Sequence, residues 1–168
     1  MGRALAARID RLTEALGRVI AWLLFGMMAM TVVVVVLRYG FDIGAIVLQE
    51  SVVYMHGLAF MLGIAYTLKT DGHVRVDIIY SRLGARSRRH INLFGHVVFL
   101  IPVCLFILVS SLDYVAASWR VLERSPEVGG VPAVYLLKSL IPVMALTLLL
   151  QGIAEIIRCL VPESATDG

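Results

Sequence analysis

Charge is scarce in this sequence. Of its 168 residues 16% are Asp, Glu, Lys or Arg, against about 25% in ordinary soluble domains. Apolar residues rise to 60%, with a mean hydropathy of +0.88. One small core cannot hide that excess, because a domain of this size leaves much of its surface in contact with its surroundings. A soluble globular domain and a disordered chain are both excluded. Lysine is limited to Lys69 and Lys138, and neither follows a glycine. The Gly-Lys-Ser/Thr end of a phosphate-binding loop is therefore missing, and ATPase chemistry with it. Cysteine is limited to Cys104 and Cys159, which leaves no disulfide framework, no Cys-x-x-Cys-His haem attachment and no paired-cysteine metal motif. The net charge of +3 does not point to nucleic acid, because the basic residues fall between apolar blocks rather than on one face.

What the sequence does have is four long apolar runs, at about 19–37, 51–68, 91–112 and 133–154. A bilayer core needs roughly 20 such residues of helix. The runs are continuous rather than alternating, which excludes outer-membrane strands. They predict an all-α, polytopic membrane protein with four transmembrane helices in a single membrane domain over 1–168. The first run is too long for a signal-peptide core, and no small-x-small cleavage site follows it.

Basic residues set the orientation. Eleven fall on one side: Arg3, Arg8, Arg11 and Arg18, then Lys69, Arg75, Arg82, Arg86, Arg88 and Arg89, then Arg158. Four fall on the other: Arg38, Arg120, Arg124 and Lys138. Both termini are expected in the cytoplasm. Residues 1–18 carry Leu5, Ile9, Leu12 and Leu16 at spacings of four, three and four, with the arginines off that stripe. The spacing predicts an amphipathic helix lying in the membrane interface, with a basic tail that only signals orientation as the simpler alternative. A second amphipathic segment is expected in the cytoplasmic link 74–90, where Val76, Ile79, Tyr80 and Leu83 share one stripe. The loop 113–132 is the longest external piece; Asp113–Arg124 has no breaker and can prolong the third helix. Pro102 and Pro142 sit inside the third and fourth spans and are expected to kink them, which a membrane bundle tolerates. Ala59 and Gly63, four residues apart, form a small-residue ridge on the second span that lets a helix approach closely.

No Asp or Glu lies within the four runs. A carrier or proton relay with its own coupling site places carboxylates or paired charges there, so the spans read as structural. A small self-sufficient multidrug carrier lacks its intramembrane Glu. The other alternative is a membrane anchor subunit of a respiratory enzyme, binding quinone or haem. Its haem form needs His56 and His96 at one depth, but helical rise puts them roughly 13 Å apart along the membrane normal. The spans therefore read as structural, and no cofactor or metal is expected.

An ordered set of short motifs runs through the chain: Leu37-Arg38-Tyr39-Gly40-Phe41-Asp42, then Gln49-Glu50, Met61-Leu62-Gly63, and Gly72-His73-Val74-Arg75-Val76-Asp77. Together with Ser125-Pro126 through Pro132, these resemble the small, DctQ-like permease subunit of tripartite ATP-independent periplasmic (TRAP) transporters. The resemblance covers about residues 15–160. Asp42 stands where that family typically has Asn, and Gln49 where it has the first of an acidic pair. The resemblance implies a bacterial inner-membrane protein that binds a large permease subunit carrying the substrate and sodium sites. A periplasmic substrate-binding protein would deliver an organic anion such as a dicarboxylate, sialic acid or a 2-oxo acid. The small subunit would brace the static scaffold within the lipid bilayer. Arg38, Asp42, Glu50, Ala59, Gly63, His73 and Asp77 are the candidate structural or interface residues. Arg38 and Glu50 end adjacent antiparallel spans across an eleven-residue loop, so an ion pair between them is expected, with a binding-protein contact for Glu50 as the alternative.

Overall fold

A computed structural model describes residues 2–73, 80 and 83–161 of the chain. The protein is all-helical and built on four long helices: α1 (Gly2–Gly40), α2 (Ile46–Lys69), α3 (Ala85–Arg120) and α4 (Val134–Leu160). All four are long and apolar enough to cross a membrane. The link between α2 and α3 lies largely outside the described residues, and with it Asp77 and, from the expected amphipathic stripe, Val76 and Ile79. Its last part, from Ala85 onward, already belongs to α3.

The N-terminal segment does not break away from the first span. α1 runs unbroken for 39 residues, about 58 Å at 1.5 Å per residue, so residues 2–18 continue the span's own helix. Its inward stripe also differs from the one expected. Ala6, Ile9, Thr13 and Ile20 are buried, whereas Leu5 and Leu12 are half-exposed. The reason is packing. Ala6 and Ile9 form a core with Ala154, flanked by Leu150 and Ile157 of α4. At Gly17 a Cβ would lie 2.4 Å from the Tyr66 ring, so only a glycine lets the α2 tyrosine sit against the α1 backbone.

α4 is the central helix. It packs against α1, α2 and α3, and α1 also packs on α2. Its span is 28% buried within the chain, against 6–11% for the others. Small residues make this possible: Ala145 and Ala154 are buried, and a Cβ at Gly152 would lie 2.3 Å from Leu100 Cδ2. Of the small residues on α2, Ala59 is buried, whereas a Cβ at Gly63 would meet nothing within 4 Å among the described residues.

Pro102 re-registers α3. It has no N–H for the carbonyl of Val98, and its ring crowds that group. The helix widens into a π-turn over His96–Leu100, with the Ile101 N–H bonded to His96 O. That turn carries Leu100, the side chain that fills the space over Gly152. α4 passes through Pro142 as one helix.

Among the described residues, three non-glycine residues adopt left-handed backbone at helix ends: Asp42 (φ 55°), Asp71 (φ 57°) and Leu122 (φ 45°). After α2, Asp71 N–H bonds to Leu68 O and Gly72 N–H to Thr67 O. After α3, Leu122 N–H bonds to Trp119 O and Glu123 N–H to Ser118 O. Both are Schellman endings.

Candidate functional site

The functional side chains gather at the two ends of the helices. At the end holding both termini, Gln151 of α4 has no solvent exposure. Its Oε1 accepts from the Thr13 hydroxyl at 2.8 Å, and its Nε2 donates to Asp10 Oδ1 at 3.2 Å and Glu155 Oε1 at 3.1 Å. Arg158 closes the group, donating to Glu155 at 2.6 Å and to Asp10. Helical spacing explains the set: Gln151, Glu155 and Arg158 follow at i, i+4 and i+7 on α4, facing Asp10 and Thr13 at i and i+3 on α1. Nearby, Lys69 at the end of α2 pairs with Glu14 of α1. The Lys69 ammonium holds the Glu14 carboxyl below its ordinary range.

At the opposite end Glu50 is the organising group. Its carboxylate accepts from the Ser125 hydroxyl and, at 2.5 Å, from the Val131 N–H. Ser125 Oγ in turn accepts from Glu127 N–H at 3.1 Å. Gly130 has to be glycine, because a Cβ there would lie 2.5 Å from Ser125 Oγ and 2.8 Å from Glu50 Oε1. Beside it, Lys138 bonds Glu123 at 2.6 Å and lies 4.2 Å from the Tyr114 ring centre. The hydrogen bond from Lys138 lowers the Glu123 carboxyl pKa. Trp119 Nε1 donates to Ser139 Oγ at 2.8 Å and meets the Tyr135 ring edge to face. Amphipathic rings of this kind favour the headgroup level of a membrane.

The expected Arg38–Glu50 ion pair is not formed. Arg38 is exposed, while both Glu50 oxygens bond the 125–131 loop. A short connecting loop permits the pair without enforcing it, and the half-buried Val131 N–H of the neighbouring loop needs an acceptor that Glu50 supplies. Asp42 is placed by its backbone: left-handed there, it lets Ile43 N–H bond Leu37 O at 2.9 Å. Asn and Asp tolerate that region best after glycine, which accounts for an Asp where the resembling family has Asn. His73 is exposed just beyond the end of α2. The sequence reading missed Gln151 and Thr13, although an uncharged amide near the end of a span was the signal available. Among the described residues no three His, Cys, Asp or Glu side chains converge as a metal site.

This arrangement joins helices and shapes a loop; it presents no nucleophile beside a base and no paired charge at mid-span. Comparison with curated proteins and with solved structures gives no match. A family profile described as "Tripartite ATP-independent periplasmic transporters, DctQ component" matches residues 27–161, which contain Glu50, its loop, α3 and all of α4. The chain thus belongs to the DctQ family of TRAP transporter small permease components, which are transporter parts and not enzymes.

Proposed function

We propose that this chain is the static small subunit of a sodium-coupled, binding-protein-dependent importer of organic anions, bracing a large permease subunit in the bacterial inner membrane with both termini in the cytoplasm. One observation carries the reading: side-chain ties cross between helices at both ends of the fold, while the spans between hold no carboxylate. Gln151 and Arg158 fasten α4 to α1, and Glu50 fastens the start of α2 to the loop before α4. A frame locked in this way suits a fixed partner for a moving subunit. A carrier would place ionisable groups or broken helices at mid-membrane. Exposed aromatics on α1 (Trp22 and Phe25) and on α3 (Phe106) leave apolar surface for lipid and for the large subunit.

Reconstitution tests the role. Three proteoliposome samples, with this chain alone, the large subunit alone and both together, are given binding protein, organic anion and a sodium gradient. Uptake is expected only with both. Uptake by this chain alone, or full uptake without it, overturns the bracing role. Reporter fusions test topology: those after Gly44 and Gly129 should be periplasmic, and those after Gly84 and Gly168 cytoplasmic.

A further inference from the structure

One face of α2 is left open by the rest of the chain. At about 100° per residue, Gln49, Val53, His56, Phe60, Gly63 and Thr67 fall within about 80° of arc along the helix. The residues by which α2 meets its neighbours lie outside that arc: Met55, Tyr66 and Lys69 toward α1, Glu50 and Gly57 toward α4 and the loop before it. Val53 and Phe60 are 57% and 66% exposed, and His56 is exposed between them. The side of Gly63 is open as well, since a Cβ there would meet nothing within 4 Å among the described residues.

His56 is the group that plain lipid does not suit. It stands about 2 Å from the middle of α2 at 1.5 Å per residue. Headgroups and water are then out of its reach, half of a roughly 30 Å hydrocarbon core away. Its ring stacks on Phe60 with centres 6.2 Å apart, and neither ring nitrogen has a hydrogen-bond partner among the described residues. The exposed hydroxyls of Thr31 and Ser110, by contrast, donate to Met27 O and Ile107 O of their own helices. An imidazole against acyl chains leaves a donor and an acceptor unsatisfied, and ionisable side chains within spans face protein and pair there.

We infer that this face of α2 is where a transmembrane helix of the large permease subunit docks, and that the helix sets a hydrogen-bonding side chain opposite His56. The inference rests on the reading of this chain as a permease subunit. Spacing supports a helix as the occupant. Gln49, His56 and Gly63 recur every seven residues, with Val53 and Phe60 between them, the period at which one helix follows another along a left-handed crossing. Gly63 admits close approach, and an interhelical bond at His56 replaces the one that lipid cannot make. The multi-component family supplies a partner of different sequence, which can place a larger side chain opposite Gly63 where a second copy would set another glycine.

The test co-expresses both subunits with p-benzoylphenylalanine at position 60 and irradiates the membranes. An adduct with the combined mass of the two subunits is expected. An adduct of twice this chain's mass would overturn the large subunit as occupant and assign the face to a second copy. Absence of any adduct from position 60, with or without one from position 106 on α3, overturns the placement on α2. Capture through a tag on this chain then measures the bound large subunit. Gly63→Leu should lower it about tenfold while leaving the thermal midpoint of this chain alone unchanged, because the fold has room there. His56→Leu should lower it about threefold, and His56→Gln should restore it. Equal capture by the parent and all three variants overturns the docking face alone. Failure of the parent itself to capture the large subunit overturns the permease-subunit reading, and this inference with it.

Discussion

Thr13 and Gln151 are joined by a 2.8 Å hydrogen bond across 138 positions of sequence, and both side chains are buried. The amide of Gln151 is used at both ends, accepting at Oε1 and donating at Nε2. A buried amide with its partners in place fixes one register between two helices, because any slip along the axis strands polar groups away from water. In lipid this matters more than in a soluble core. Apolar side chains there gain little by leaving lipid for a neighbouring helix, so polar bonds and close packing decide the register. The pair sets how α1 leans on α4, and through them the position of the N-terminal turns.

Replacing Gln151 with Leu removes the acceptor of Thr13 and leaves its hydroxyl buried without its partner. The expected cost is about 1–3 kcal/mol, read as a lower thermal midpoint in detergent. Adding Thr13→Val should recover part of it, since the stranded group is then gone. If the double variant is as unstable as the sum of the two singles, the two residues are not coupled.

Much of the frame was legible because length and apolarity alone specify a span, and the four helices lie where those runs predict. Pro102 announced a disturbance in α3 through its missing N–H. The N-terminal segment was harder to read. A stripe of Leu5, Ile9, Leu12 and Leu16 edged by arginines suits a helix lying flat on lipid as well as one continuing a span. What separates the two is whether Ala6 and Ile9 find Ala154, a contact nearly the full chain away. Glu50 was visible as an acidic residue at a helix start. Its partners were not, because the Val131 N–H lies 81 positions further on, and backbone donors leave no mark in sequence. Gly129 and Gly130 are turn residues by type, but the approach of Gly130 to Ser125 and Glu50 left no separate mark in the sequence.

Glu50 should control the shape of the 125–131 loop. Glu50→Ala removes the acceptor of both Ser125 and Val131, a loss of about 1–3 kcal/mol in loop closure. Arg124 is exposed just before the loop, so trypsin cleavage after it reports opening. Cleavage is expected to be about tenfold faster in Glu50→Ala. It should also be faster in Gly130→Ala, where the added Cβ pushes Ser125 and Glu50 apart. Unchanged cleavage in both would show that the loop holds itself closed. Arg38→Ala should change nothing here.

The α1–α2 tie should respond to acid. Lys69 lowers the Glu14 pKa beneath the ordinary value of 4.5. A depressed folded-state pKa means the unfolded chain binds its proton first as pH falls. The stability from Glu14 is therefore fully present above about pH 4.5 and is lost as pH falls through the lowered value. Thermal midpoints of the parent and of Glu14→Gln, measured from pH 7 to pH 3, should converge at the acid end. A constant gap across that range would assign the effect of the substitution to something other than this charge. Salt should narrow the gap at pH 7, since Glu14 is 57% exposed.

Leu122 is the residue least suited to its backbone. At φ 45° its Cβ crowds the following carbonyl, a cost of about 1–2 kcal/mol for an L-residue. The Schellman ending of α3 requires that conformation, since Leu122 N–H bonds Trp119 O at 3.2 Å and Glu123 N–H bonds Ser118 O at 3.1 Å. Little is returned by the side chain, which is 56% exposed. Leu122→Gly should therefore stabilise the protein, by about 0.5–1 kcal/mol once the extra freedom of glycine in the unfolded chain is subtracted. Leu122→Asn should also stabilise, because Asn enters the left-handed region more readily without glycine's freedom. Leu122→Val should destabilise, since a β-branched side chain fits that region worst. Thermal midpoints of the three variants in one detergent decide the matter. The order Gly and Asn above Leu above Val identifies backbone strain as the cause, whereas a fall in all three would mean that Leu122 is held for a contact with its surroundings.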